Sequence, residues 1–176
     1  MIRPVATIAT ERFTLRPLRR TDAAALFATL SDPIHCRYLT RGAFGTEGEL
    51  WDWLSDPDWN GRTWIAEDRS GAVTGRLVAV PKHEDRVEEI GYVTCADRQG
   101  EGVAHECATA LIAHLFASGA RKLLADVDVE NAGSIRLIER LGFVREGTLR
   151  EHETTHEGLC DLHLYGLLAS EYRAAV

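Results

Sequence analysis

Two glycines one residue apart, Gly100 and Gly102, stand between an extended apolar run and a strongly periodic helix. No other segment constrains the fold as much as this one, "DRQGEGVAHECATALIAHLF", Asp97 to Phe116. Ahead of it, "RVEEIGYVTC" reads as a strand. Within it, Ala104, Cys107, Ala108, Leu111, Ile112, Leu115 and Phe116 recur at 3,4 spacing and give one apolar helix face, running to about Ser118. After it, "KLLADVDV" is nearly continuous in its apolar first half, as a buried central strand is. A strand–glycine–helix–strand unit therefore sits at the centre of the chain.

The flanking segments complete a mixed α+β domain. "ERFTLRPL" alternates as a first strand ending near Pro17. "TDAAALFATLSDP" is a helix capped by Thr21 or Asp22 and ended by Pro33. "TEGELWDWLSDP" has Thr46 and Glu49 in capping-box spacing, so a second short helix is expected. "RTWIAED" and "GAVTGRLVAV" are two strands around an "RSG" turn. "NAGSIRLIERLG" is a helix with Asn131 at its start and Gly142 ending it in the left-handed position. "FVREGTLREHETT" and "GLCDLHLYGLLA" form a closing strand pair around "HEG". At 176 residues this is one domain, 1–176, large enough to bury a core.

Helix-start N–H groups have no partner inside the helix, and the helix dipole draws anions to that end. Glycines let a phosphate approach without striking a Cβ. "QGEGVA" thus reads as a phosphate cradle, and the two glycines alone also fit a tight turn with no ligand. It is not a P-loop, since no Lys-Ser or Lys-Thr follows. Nor is it a dinucleotide fingerprint, because His105 stands where the third glycine would be. The formal charge of −7 argues against a nucleic-acid-binding face. No apolar run reaches the ~18 residues of a membrane span, and "MIRPVATIATERF" makes a poor signal peptide. Cys36, Cys95, Cys107 and Cys160 are scattered, so reduced thiols are expected rather than a metal site. These features point to a cytoplasmic protein.

Gln99-Gly100-Glu101-Gly102-Val103-Ala104 resembles the Q/R-x-x-G-x-G/A motif of the GNAT superfamily of acetyl-CoA-dependent N-acetyltransferases. "NAGSIRLIERLGFVREGTLRE" resembles that superfamily's next block, in the form Asn-x-x-Ser, Leu-Gly-Phe, Glu-Gly. "LRPLRRTDAAALFATLSDP" resembles the usual N-terminal segment, and "GLCDLHLYGLLASEY" resembles the C-terminal strand of the RimJ/RimL-type branch, which includes acetyltransferases of ribosomal-protein N-termini. The resemblance spans essentially the whole chain. It implies the GNAT fold: a mostly antiparallel mixed sheet of about seven strands with helices on both faces, its fourth and fifth strands parallel and splayed. It implies acetyl-CoA as co-substrate with no metal, and an amine acceptor, with a protein N-terminus first in line. It is also compatible with a homodimer.

The reaction needs a held cofactor, an amine freed of its proton, a stabilised oxyanion and a proton donor for the leaving thiolate. By resemblance, backbone donors of Gln99, Gly100, Glu101, Gly102, Val103 and Ala104 take the pyrophosphate, and Arg98 adds charge. The pantetheine arm lies along the fourth strand at Ile90 and Tyr92, with the Val93 N–H toward the thioester oxygen and Gly91 compatible with a bulge. Asn131 contacts the cofactor arm or simply caps its helix. The superfamily tyrosine expected seven residues past the asparagine is absent, because that position is Ile138. Ser134 is the substitute acid, and otherwise a helix-start residue. Glu153 is the candidate base, through a water unless burial raises its pKa; the other reading is a solvated acidic edge. Alternation sends Glu151 and Glu153 to one face. The acceptor is expected between the early helices and the last strand pair. At least one of Trp51 and Trp53 should border a groove or an interface, since one helix face cannot hold both. Two other readings stay open: a small amine as acceptor (amino acid, polyamine or antibiotic), and a module that binds acyl-CoA without catalysis.

Overall fold

The computed structural model describes residues 3–172. A two-residue strand β1 (Ile8–Ala9) lies on β2 (Phe13–Pro17). Then come α1 (Asp22–Leu30), the one-turn α2 (Pro33–Cys36) and α3 (Glu47–Leu54). Strands β3 (Arg62–Asp68), β4 (Val73–Pro81) and β5 (Val87–Thr94) make an antiparallel meander. Helix α4 (Val103–Ala117) crosses to β6 (Lys122–Asp128), and α5 (Ala132–Arg140) leads into the hairpin β7 (Val144–Thr155) and β8 (Gly158–Leu168). One sheet results, ordered β1-β2-β3-β4-β5-β6-β8-β7. Its eighth strand, β1, pairs through only Ile8↔Leu15 and Ala9↔Thr14, too short to leave a periodic signal.

Each face of the sheet carries a core. Helices α4 and α5 cover one face, where Trp64, Leu77, Ile90, Leu111, Ile138 and Tyr165 are buried together. Helices α1 to α3 cover the other, but only over the first half of the sheet, packing on Ile65, Val73, Val93 and Cys95. The Arg16 guanidinium bridges this side. It pairs with Asp22 at 2.8 Å and Glu67 at 2.5 Å, and the Asp22 bond above all keeps it charged. Asp22 is thus a buried partner of Arg16 rather than a cap, and Thr21 stands at the N-cap without a side-chain bond. Pro33 does not end α1, which stops at Leu30. It opens α2 at a first-turn position, where its missing N–H costs nothing, and Asp32 caps that turn. Thr46 Oγ1 accepts from the Glu49 N–H, while the Glu49 carboxylate reaches back to the Gly45 N–H. Among the described residues no helix is long and apolar enough to cross a membrane.

The site is set by one topological feature. Strands β5 and β6 pair in parallel only from Val87↔Lys122 to Glu89↔Leu124. Beyond that, β4 holds β5 as far as Thr94 and β8 holds β6 as far as Asp128. Each strand follows its other neighbour, so a wedge opens between them. The edge of β5 from Ile90 to Thr94 has no β6 partner, and such an edge is a template for an extended chain.

Candidate active site

The mouth of the wedge faces the N-termini of α4 and α5. Gly100 and Gly102 both hold left-handed backbone, with φ of +81° and +79°. Gly102 is the N-cap of α4 and brings no side chain to cap it. The first N–H groups of α4, from Val103 onward, therefore have no capping side chain as acceptor. A Cβ on Gly100 would meet nothing within 4 Å, so the space above the turn is open. Arg98 stands next to it, with its guanidinium on Asp68 and Glu101, both at 2.9 Å. Arg12 is a second cation here that sequence reasoning missed. It bonds the Glu101 carbonyl at 3.0 Å and Glu106 at 2.7 Å. No local pattern reveals a contact from residues 12 to 106.

On the wedge walls, Asn131 Oδ1 accepts from the Ser134 N–H at 3.1 Å and caps α5. Ser134 Oγ lies 2.6 Å from Tyr92 Oη, so β5 and α5 are joined across the opening. Burial pushes the Tyr92 pKa up, against the opposing pull of the Ser134 bond. Ile138 is fully buried in the main core and offers no polar atom. Val93 sits opposite Arg76 in the hydrogen-bonded phase of the ladder that the Cys95 N–H to Thr74 carbonyl bond continues, so its carbonyl and its N–H both turn toward β4 and not into the wedge as expected. The β4–β5 register runs through Gly91 unshifted, so the bulge expected there is absent: β4 follows β5 residue for residue.

On the face that α1 to α3 leave uncovered, the floor is acidic. Glu153 is partly buried on β7, opposite Cys160 of β8. Asp126 of β6 keeps a solvent-exposed edge, yet partial burial of its carboxyl, then nearby Glu89, raises its pKa. Lys82 is the cation among them, paired with Glu89 at 2.5 Å. Glu151 and Glu153 do not share a face by simple alternation. A register shift lies between Leu149 and Glu153, and Glu151 takes a φ of +47°. Beside this floor runs a groove of about 400 Å³ between Tyr38, Asp128, Glu130, Thr155 and Cys160. Arg37 pairs with Glu130 at 2.8 Å across it, and His156 Nδ1 lies 3.2 Å from the Leu39 carbonyl oxygen. Trp51 and Trp53 line none of it. Both are half-buried against the second core, Trp53 against Phe44 and Arg76.

Residues 12–144 match the family model for the acetyltransferase (GNAT) domain. The chain belongs to the GNAT acetyltransferase family. It is 32% identical over 174 residues, 94% of this chain and 98% of the other, to an uncharacterized N-acetyltransferase, p20, of Bacillus licheniformis. It is 33% identical over 82 residues, 46% of each chain, to the ribosomal-protein-serine acetyltransferase of Escherichia coli K12. Among solved structures, a spermidine N-acetyltransferase of Vibrio cholerae in complex with CoA and spermine superposes with a TM-score of 0.80 at 24% identity, over 91% of this chain and 97% of that one.

The GNAT fold places this chain among acetyl-CoA-dependent N-acetyltransferases. Its own residues fit that co-substrate. Uncapped helix N–H groups beside the open face of Gly100 suit a pyrophosphate, and the unpaired β5 edge suits an amide-bearing arm. Cys107 is no part of this chemistry, because burial pushes its thiol up to about 12.

Proposed function

We propose that this GNAT domain acetylates the N-terminal α-amine of a protein or peptide, preferably one carrying further positive charge, by direct attack within a ternary complex. The groove beside an acidic floor carries this reading. Cationic acceptors are drawn to such a floor, and a groove at the rim of the domain admits a chain end. The partial similarity to the E. coli ribosomal-protein-serine acetyltransferase supports a peptide acceptor. So does a serine, Ser134, in place of the superfamily tyrosine, and the reading puts the chain in the RimJ/RimL-type branch. A polyamine is the second reading, favoured by the clustering of Glu89, Asp126 and Glu153.

In this reading Gln99 to Ala104 hold the pyrophosphate by backbone N–H groups, with Arg98 and Arg12 alongside. Ile90, Tyr92 and Val93 flank the pantetheine arm, and the N–H groups that β5 turns toward the wedge, those of Tyr92 and Thr94, are the donors for the oxyanion. Asn131 fixes the first turn of α5. Ser134 donates to the departing sulfur, and Glu153 takes the amine proton through water.

The test is turnover of acetyl-CoA with a basic peptide bearing a free N-terminal serine, with spermidine as the competing acceptor. CoA thiol release and product mass are read. The peptide should be the better substrate by at least tenfold in kcat/KM, and the reverse order would select the polyamine. Ser134→Ala and Glu153→Gln should each lower kcat by about tenfold or more while acetyl-CoA binding holds. Unchanged rates in both variants would remove these assignments.

A further inference from the structure

Tyr92 is the half-buried titratable group for which the fold gives no packing reason to carry a hydroxyl. Its ring packs against the main core, and a phenylalanine would fill that space as well. The hydroxyl has one partner among the described residues: Ser134 Oγ, at 2.6 Å. The two residues come from opposite walls of the wedge. Tyr92 lies on β5, three positions past Glu89, the last residue of that strand paired with β6. Ser134 lies in the first turn of α5, its own N–H bonded to Asn131.

The chemistry of the two hydroxyls orients the bond. A phenol, with pKa ~10, is a far better donor than an alkyl alcohol, and an alkyl oxygen is the better acceptor. Tyr92 therefore donates and Ser134 Oγ accepts. The serine's own hydrogen is then left to point away from Tyr92. We infer that Tyr92 is a positioning residue for acetyl transfer: it holds Ser134 Oγ by its hydroxyl and so directs the Ser134 hydrogen to the thioester sulfur. This rests on the reading of Ser134 given above. As the amine nitrogen bonds to the carbonyl carbon, the C–S bond breaks and its electron pair stays on sulfur. The Ser134 O–H stabilises that thiolate, and the proton lost by nitrogen passes to Glu153 or water. Tyr92 keeps its proton throughout. Burial supports this, since it disfavours the phenolate. The donor thus sits in the first turn of α5 and is steered from β5, while Ile138, one turn further on, is apolar and buried.

Tyr92→Phe keeps the ring and deletes only the hydroxyl. Its kcat should fall about tenfold or more with KM for acetyl-CoA within twofold, at an unchanged melting temperature. Ser134→Ala should fall at least as far, and adding Tyr92→Phe to it should lower the rate no further. The acceptor is the serine peptide or spermidine, whichever turns over. A Tyr92→Phe enzyme at full rate beside a slow Ser134→Ala enzyme overturns the role of Tyr92 and leaves that of Ser134. An equal loss in the wild-type and Ser134→Ala backgrounds also overturns it, since Tyr92 would then act independently. Full activity of Ser134→Ala, or no acetylation of either amine, removes both readings together.

Discussion

Gly100 and Gly119 have the same two properties at opposite ends of α4. Both hold positive φ, +81° and +101°, and a Cβ on either would meet nothing within 4 Å. Replacing either by alanine therefore imposes the same left-handed strain, about 1–2 kcal/mol. Only Gly100 lies where backbone donors face the expected pyrophosphate. Gly100→Ala should lose that stability and also weaken acetyl-CoA binding by tenfold or more, while Gly119→Ala should lose the stability alone. Denaturant unfolding and calorimetric titration of the two variants decide it. Equal binding in both would leave the Gly100 turn as a turn only. At this scale the sequence was readable where chemistry is local: the glycine pair, the Asn131 cap and Ser134 three residues on. Arg12 and the partner of Tyr92 were not readable, because the contacts join residues 94 and 42 positions apart.

Strands report a different limit. Alternation identifies a strand, but register comes from its neighbours. The segments from "RTWIAED" to "GLCDLHLYGLLA" fold as their patterns imply. By contrast, the shift near Glu151 and the unbroken register at Gly91 depend on β8 and β4. Gly75 shows how tight that dependence is. A Cβ there would lie 2.5 Å from the Val93 carbonyl oxygen, a backbone atom that moves only with its strand. Gly75→Ala should thus displace β5 beside Tyr92 and Thr94, whose N–H groups turn toward the wedge. The expected loss is about 1–3 kcal/mol in stability, together with a fall in kcat. Gly91→Ala meets only the Val78 side chain, at 3.0 Å, and should be milder in both. Chemical denaturation and steady-state kinetics compare the pair, and a Gly75→Ala enzyme with full activity would detach the oxyanion role from this part of β5.

At the scale of the whole molecule, two half-sheets diverge from a short parallel seam, and the acidic floor lies just past its last pair, Glu89↔Leu124. A net charge of −7 gives the domain a field, but the floor gives it a location. Asp126 tests whether that location serves binding at the expense of stability. Its pKa is raised in the folded chain by partial burial and by Glu89. A carboxyl with a raised folded pKa favours the fold while protonated, and that contribution is lost as pH climbs from about 3.9 through the folded value. At pH 7 the ionised Asp126 therefore opposes folding. Asp126→Asn should raise the melting temperature at pH 7 by about 1–3 °C, as a charge change under about 1 kcal/mol would in a chain of this size. Near pH 4 the gain should shrink toward zero. Catalysis should move the other way: KM for the cationic acceptor should rise severalfold at low salt, and less at high salt, where screening already weakens the wild-type attraction. Thermal unfolding at the two pH values and acceptor titration at two ionic strengths measure both sides. A variant that is more stable at pH 7 but unchanged in KM would make the floor a structural cost with no acceptor to explain it, and would shift the acceptor assignment to the groove beyond Asp128.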